Sequence, residues 1–336
     1  MKAYEIQQFG IDELAEVERP VPVPDVSEVL VRFRAASLNY RDLMVVDGTY
    51  NPRMKLPAVP LSDGAGEVEA VGAGVENWKL GDRVMPIFAQ HWFDGEVDDT
   101  KRRSALGAGA YHDGVLREYG IFDQNALVRI PDHLSFEEAA TLPCAALTAW
   151  NALAVSGRLK AGETVLTLGT GGVSIFAVQL AKLFGARVIS TTGSNEKAGR
   201  LKPLGADEVI NYKAHPDWDK AAIEAAGESG IDHIVEVGGA GTLTRSINAV
   251  RIGGHVALIG ALTGPADFNP IMLFMKAVRL QGIFVGSRKM FEDMKKAIET
   301  AKMRPVIDRV FDFDDIREAM RYMKSGAHFG KIVIKI

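Results

Sequence analysis

Residues 164–193 constrain this chain more than any other stretch, because they read as strand, glycine turn, helix and second strand in one unit. Thr164-Val165-Leu166-Thr167-Leu168 is a short apolar run with β-branched residues, the composition of a buried strand. Gly169-Thr170-Gly171-Gly172 supplies the turn. Val173, Phe176, Ala177, Leu180 and Leu183 follow at helical spacing and mark one apolar face. Residues 186–191 form the second strand of the pattern. Glycines in such a turn let the backbone approach a pyrophosphate, which rests on amide N–H groups at the positive end of the helix. The spacing is Gly-x-Gly-x-x-Ser, with the small Ser174 where a third glycine would allow close helix–sheet contact. Strand, turn and helix together predict a dinucleotide site at Gly169, Thr170, Gly171, Gly172 and Val173.

The end of the second strand bears on which dinucleotide is bound. An NAD site carries an Asp or Glu about 20 residues after the turn, where it grips the ribose 2′-hydroxyl. Here that stretch is Ser190-Thr191-Thr192-Gly193-Ser194-Asn195-Glu196-Lys197, with Thr192 at the acidic position. A carboxylate there repels a 2′-phosphate, whereas Thr192, Ser194 and Lys197 offer hydrogen bonds to one. Charged hydrogen bonds contribute roughly 1.5–3 kcal/mol each, enough for two of them to set a preference. The expectation is NADPH over NADH, opposed only by Glu196.

Bulk composition sets outer limits. A chain of 336 residues, 47% hydrophobic and 24% charged, is an ordinary globular sequence long enough for two domains. Net charge is −4 and no basic block occurs, which gives no support for nucleic-acid binding. No uninterrupted apolar stretch reaches membrane-spanning length, and the first residues alternate like a strand, so neither a membrane span nor a signal peptide is expected. The single cysteine, Cys144, excludes an intrachain disulfide and fits a reducing cytoplasm.

The N-terminal third is rich in strand-like runs punctuated by Gly and Pro, including residues 29–34, 66–71 and 81–84. After about Phe136 helices and strands alternate, with further strands expected at 208–211, 233–237, 255–259 and 280–285. Six strands joined by crossover helices predict an α/β, doubly wound parallel sheet. A helix at 314–324 and a strand at 331–336 return to the first domain. The expected division is a first part over 1–125, a dinucleotide-binding domain over 126–275, and 276–336 carrying the edge strand and the return. A cleft between the two domains is the expected ligand site.

Several short motifs now carry a family resemblance. They are Gly64-Ala65-Gly66-Glu67-Val68 with Val71-Gly72, Gly81-Asp82-Arg83-Val84, Leu142-Pro143-Cys144 before Thr148-Ala149-Trp150, Leu204-Gly205-Ala206-Asp207, and Gly330-Lys331-Ile332-Val333. With the glycine turn, they resemble the medium-chain dehydrogenase/reductase superfamily over essentially the whole chain. The resemblance implies a partly open, GroES-like β-barrel catalytic domain into which the Rossmann sheet is inserted. It also implies a homodimer paired through the edge strand near residues 280–285, with no membrane or nucleic-acid partner.

The departures from that family are informative. At the positions of a catalytic zinc's Cys, His and Cys ligands stand Asn39, Ser62 and Cys144, and the stretch from Phe88 to His112 lacks the four cysteines of a structural zinc lobe. His91 and His112 in that loop read as solvated side chains. The expectation is no metal, since catalytic zinc needs three protein ligands. Without a Lewis acid, hydride transfer requires an acceptor that is already electron-poor, such as a quinone, an enone or an enoyl compound. The chain thus resembles the zinc-free branch of quinone oxidoreductases and enoyl reductases. There an Asn-x-x-Asp, spacer, Gly-x-Tyr stretch lines the cleft; here it is Asn39-Tyr40-Arg41-Asp42 and Gly48-Thr49-Tyr50. The match places Tyr50 at the proton-donating tyrosine, with an aromatic cap on the cleft as the other reading. It places Asn39 against the nicotinamide ribose or a substrate oxygen, with Tyr40 and Asp42 as alternatives and Asp42 also read as ordering the loop.

The same resemblance assigns cofactor contacts to Thr148, Val237, Gly238, Ile259, Gly260, Ala261, Phe284, Val285, Gly286 and Lys331, and places Tyr212 beside the 2′-phosphate. Cys144 reads as a packing residue, and Arg102 with Arg103 as a solvated pair or an anion site. The leading expectation is an NADPH-dependent, zinc-independent oxidoreductase acting on a small-molecule electron acceptor. A zinc-free alcohol or aldehyde oxidoreductase and a non-catalytic NADPH-binding protein are the alternatives. Substrate turnover separates them.

Overall fold

The structure, a computed structural model, describes residues 1–108, 112–260, 262–264 and 268–336. Strands β1 (Lys2–Ile6), β2 (Leu14–Glu18), β3 (Glu28–Ser37), β4 (Asp63–Val71), β5 (Arg83–Pro86), β6 (Tyr119–Asp123) and β7 (Leu127–Arg129) come first. Then follow β8 (Thr164–Leu168), β9 (Arg187–Thr192), β10 (Glu208–Asn211), β11 (Ile231–Glu236), β12 (Val250–Leu258) and β13 (Arg279–Gly282). The return segment supplies β14 (Ile307–Asp312) and β15 (Lys331–Lys335).

Two units result. The first comprises Met1–Leu147 and Gly286–Ile336, and the second Thr148–Val285. The insert therefore starts at Thr148 rather than at residue 126, and it ends at Val285 rather than at 275. The reason is local: strand β13 hydrogen-bonds in parallel to β12, so the edge strand stays with its sheet instead of opening the return segment.

In the first unit β14-β15-β3-β4-β5-β7 form a sheet in that order, with β6 paired to β3. Strand β3 is its spine, since Val29, Val31, Phe33 and Ala36 are buried in the core with Val68, Val84, Phe122 and Ile334. The C-terminal strand β15 lies antiparallel to β3, which brings Lys331 close to the end of β3 and to Asn39 beyond it. The helix Ile316–Lys324 buries Ile316, Ala319, Met320 and Met323, a clean helical stripe, in the same core.

The second unit is the doubly wound sheet that the sequence predicts, with strand order β10-β9-β8-β11-β12-β13. All its pairings are parallel. Strand β8 is buried at every residue, as a strand covered on both faces must be. The last strand is shorter than expected, ending at Gly282 rather than 285. Val285 has left the sheet with φ of 40°, and its carbonyl accepts a hydrogen bond from Asn151 Nδ2 at 2.9 Å. One helical run, Phe136–Ser156, is long and apolar enough to cross a membrane, but 72% of its apolar window is buried inside the protein.

Candidate active site

The glycine turn has the geometry its sequence demands. Gly169 takes φ of 72°, a left-handed conformation that favours glycine, and donates its N–H to the Thr191 carbonyl at 3.0 Å. Gly171 is the N-cap of the helix Gly172–Leu183, and a side chain at either glycine would meet nothing within 4 Å. The turn thus faces open space with amide groups of a helix start behind it, which fits a bound phosphate. Ser174 is buried and donates its hydroxyl to the Leu168 carbonyl at 2.6 Å. The serine therefore ties the helix back to the strand, where a third glycine would only have permitted approach.

Thr192 ends β9 and is buried; its Oγ1 accepts from the Ser194 N–H at 3.3 Å. Ser194 caps the helix Asn195–Leu201, accepting from the Lys197 backbone N–H at 3.3 Å. Tyr212 follows β10 and is tied to Thr192 O through its N–H at 3.0 Å, with its ring against Gly193. Val237 and Gly238 follow β11, Ile259 and Gly260 follow β12, and Phe284 and Val285 lie beyond β13. All of these stand past the carboxyl ends of the parallel strands, where ligands of such sheets bind. Thr148 is buried at the first position of the second unit, and Gly286 resumes the first unit against Leu147. Ala261 lies outside the described residues.

One organising residue escaped the sequence reading. Glu236 is fully buried at the end of β11. Its Oε1 accepts from the N–H groups of Gly238 at 2.7 Å and Gly239 at 3.0 Å and from Thr242 Oγ1 at 2.6 Å, while Oε2 accepts from the Ser246 hydroxyl. A carboxylate this well satisfied fixes the loop that carries Val237 and Gly238. The available signal was an ionisable residue closing the otherwise apolar run Ile234-Val235, just before Gly-Gly.

In the first unit a second polar cluster is built around Asp63. Its Oδ1 accepts from Ser62 Oγ at 2.7 Å and its Oδ2 from the Cys144 N–H at 3.1 Å. The Lys331 ammonium lies 4.0 Å from that Oδ2. Lys331 Nζ also donates to the Leu38 carbonyl and to Asn39 Oδ1, each at 2.6 Å. Asn39 Nδ2 reaches Ser62 Oγ at 3.5 Å, and the Asn39 N–H donates to Asp42 Oδ2 at 2.8 Å. Asp42 thus orders the start of the helix Tyr40–Val46. Burial raises its pKa to about 6 against the opposing charge of Arg41. Burial likewise raises the Asp63 carboxyl and lowers the Lys331 ammonium, each pulled back chiefly by the other.

These residues do not fit a zinc ion. The three ligand positions offer an amide, a hydroxyl and one thiol. Burial, with the Asp63 carboxylate adding to it, keeps that thiol protonated. An ammonium already sits among them and opposes a second cation. Among the described residues no three His, Cys, Asp or Glu side chains are arranged to hold a metal. His91 is exposed and His112 half-buried, and their rings meet edge to face at 5.4 Å. Arg102 and Arg103 both pair with Asp99, which offsets the charge of an anion site there.

Tyr50 is 40% exposed, and its ring lies 4.9 Å from the Arg41 guanidinium, which is the same distance from the Phe88 ring. Tyr50, Arg41, Asn39 and Lys331 are therefore carried by one short helix and its flanks together with β15.

Residues 25–132 match the alcohol dehydrogenase GroES-like domain, and residues 172–302 match the zinc-binding dehydrogenase family. A zinc-type alcohol dehydrogenase-like protein of Schizosaccharomyces pombe is 44% identical over 97% of this chain and 96% of its own length. A quinone oxidoreductase of Lama guanicoe is 30% identical over 99% and 97%. A crystal structure of an NAD-dependent alcohol dehydrogenase superposes with a TM-score of 0.91 at 34% identity, covering all of both chains. The chain belongs to the medium-chain dehydrogenase/reductase superfamily and is an oxidoreductase of a nicotinamide-binding family.

Proposed function

We propose that the protein reduces quinones or activated alkenes with NADPH and without a metal. The observation that carries this reading is the ammonium of Lys331 in the cluster of Asn39, Ser62, Asp63 and Cys144, the place where relatives with metal carry zinc ligands. When bound, the reduced nicotinamide supplies the hydride. Gly169, Thr170, Gly171, Gly172 and Val173 hold its pyrophosphate, and the loops after β11, β12 and β13 hold the nicotinamide half. Thr192, Ser194, Lys197 and Tyr212 surround the 2′-phosphate, with no carboxylate at the end of β9 to repel it. Asn39 donates to the acceptor's oxygen, and Tyr50 gives a proton to the developing enolate. A quinone oxidoreductase among the relatives supports this acceptor class.

The second reading, an alcohol or aldehyde oxidoreductase, is favoured by the names of the other relatives. Turnover with NADPH and with NADH on 1,4-benzoquinone, an enone and a plain aldehyde decides between them. Fast reduction of quinone or enone with NADPH is expected. Reduction of the aldehyde alone would move the assignment to the second reading.

A further inference from the structure

Val285 takes φ of 40°, a left-handed conformation in which a β-branched residue is an outlier. Such backbone persists only where its surroundings over-determine it, and it concentrates at binding and catalytic sites. The Val285 carbonyl accepts a hydrogen bond from Asn151 Nδ2 at 2.9 Å, and both residues are buried. On the other side Gly286 leaves no room for a side chain: a Cβ there would stand 2.8 Å from Leu147 Cγ. Asn151 also opens the stretch Asn151–Ser156, where the Gly157 N–H meets the Ala152 carbonyl at 3.0 Å in the wider pattern of a π turn. Turns of that kind are rare in helices and frequent at functional sites. A buried amide committed to one backbone carbonyl, an outlying valine and a π turn therefore converge just beyond β13.

We propose that Asn151 is a positioning residue for the cofactor, clamping Val285 in its left-handed conformation so that the loop after β13 receives the nicotinamide half. This rests on the reading above that the loop holds that half; Asn151 itself is assigned no contact with the cofactor. Without the clamp, Val285 relaxes toward the negative φ that residues with a branched side chain adopt. The backbone of Phe284 and Val285 then leaves the shape that the ring meets. Binding of the nicotinamide half weakens, while the phosphate contacts at residues 169–173 are untouched. A glycine at 285 takes positive φ about as readily as negative, so it has less need of the amide. Clamp and valine are thus coupled in a way that a general packing role for Asn151 would not produce.

The test measures binding of NADPH and of 2′,5′-ADP, which carries the adenosine and phosphates but no nicotinamide, to the full chain and its variants. In Asn151→Ala, NADPH should bind about ten-fold more weakly, the scale of one buried hydrogen bond lost. Binding of 2′,5′-ADP should stay within about two-fold of wild type, which also shows that the variant folds. Asn151→Asp keeps the shape of the side chain but cannot donate, and it should match Asn151→Ala. In a Val285→Gly background, Asn151→Ala should weaken NADPH binding by less than about two-fold. Equal loss of both ligands in both Asn151 variants, unchanged NADPH affinity in them, or the same loss retained in the Val285→Gly background would overturn the proposal. Hydrogen exchange of the wild type separates that failure from failure of the reading beneath. NADPH, and not 2′,5′-ADP, should protect the amides of Phe284 and Val285; no such protection would overturn the reading of the loop, and the role of the clamp with it.

Discussion

Arg41 lies between two rings, its guanidinium 4.9 Å from the centres of both Tyr50 and Phe88, and its Nη2 donates to the Leu106 carbonyl at 2.8 Å. A cation–π contact of this kind contributes about 0.5–2 kcal/mol. It holds an otherwise half-exposed tyrosine in place. Tyr50→Phe keeps the ring and removes the proton, so kcat for enone reduction should fall by about 10²-fold or more with NADPH affinity unchanged. Arg41→Leu keeps the phenol but frees the ring, and a smaller loss is expected. Steady-state kinetics separate the two. Full activity in Tyr50→Phe would leave Tyr50 as a cap only.

Cofactor choice should turn on the end of β9. Thr192→Asp places a carboxylate where a 2′-phosphate is expected, so NADPH affinity should fall at least ten-fold while NADH binding holds or improves. Fluorescence titration with both cofactors measures this. Unchanged NADPH affinity would remove Thr192, and with it Ser194 and Lys197, from the phosphate pocket.

In the second unit Phe274 is 71% exposed, Met275 65% and Ile252 72%, and β13 is the last strand of its sheet. Exposed apolar side chains in a unit whose sheet ends in an edge strand mark an association face. A homodimer through this edge is the proposed assembly, and Phe274→Glu with Met275→Glu should yield a monomer by light scattering. Both residues are exposed, so the fold should survive. A dimer that persists would place the interface elsewhere.

Glu236 should matter for stability although it touches no reacting group in the proposed chemistry. In Glu236→Gln an amide NH₂ replaces one acceptor oxygen among four donors, costing about 1–3 kcal/mol for each donor left unsatisfied. A lower denaturation midpoint, together with weaker cofactor binding through the loop at Val237 and Gly238, is the expected outcome.

The buried pair His233 and His255 predicts a pH dependence of defined sign. Their rings stand 5.7 Å apart, His233 Nε2 is 2.9 Å from Glu163, and His255 Nε2 is 3.0 Å from Ser156 Oγ. Burial, then His233 and Arg279, push the His255 pKa down to about 4. The unfolded chain takes up that proton near pH 6.5, so stability from this residue is lost as pH falls from about 6.5 toward 4. Asp42, raised to about 6, has the opposite sign: its contribution falls as pH rises from about 4 to 6. The two slopes offset each other in the whole protein. The stability difference between wild type and His255→Gln isolates one of them and should narrow as pH falls from 7 to 5. A difference independent of pH would contradict the assignment.

What could be read in the sequence was what local chemistry dictates. The β8 unit was legible because a strand covered on both faces, a glycine turn and an amphipathic helix each leave their own periodicity. Residues 280–285 read as one strand, yet the sheet stops at Gly282, since the hydrogen bond from Asn151 to the Val285 carbonyl joins residues far apart in sequence. Family resemblance marked Lys331 as a cofactor contact, and nothing in the sequence shows its burial, since lysines are rarely buried. Only the antiparallel pairing of β15 with β3 brings it against Asn39 and Asp63. Glu236 left only its place after an apolar run as a signal, for the same reason: its four donors come from the loop and helix after it, and their convergence is a property of the fold.

The most direct measurement is NADPH oxidation by EDTA-treated protein with 1,4-benzoquinone and an enone, metal content being assayed in the same sample. Undiminished turnover at less than one-tenth equivalent of zinc is the expected result. Activity lost with EDTA and restored only by zinc would contradict the reading of the Lys331 cluster as the substitute for a metal site.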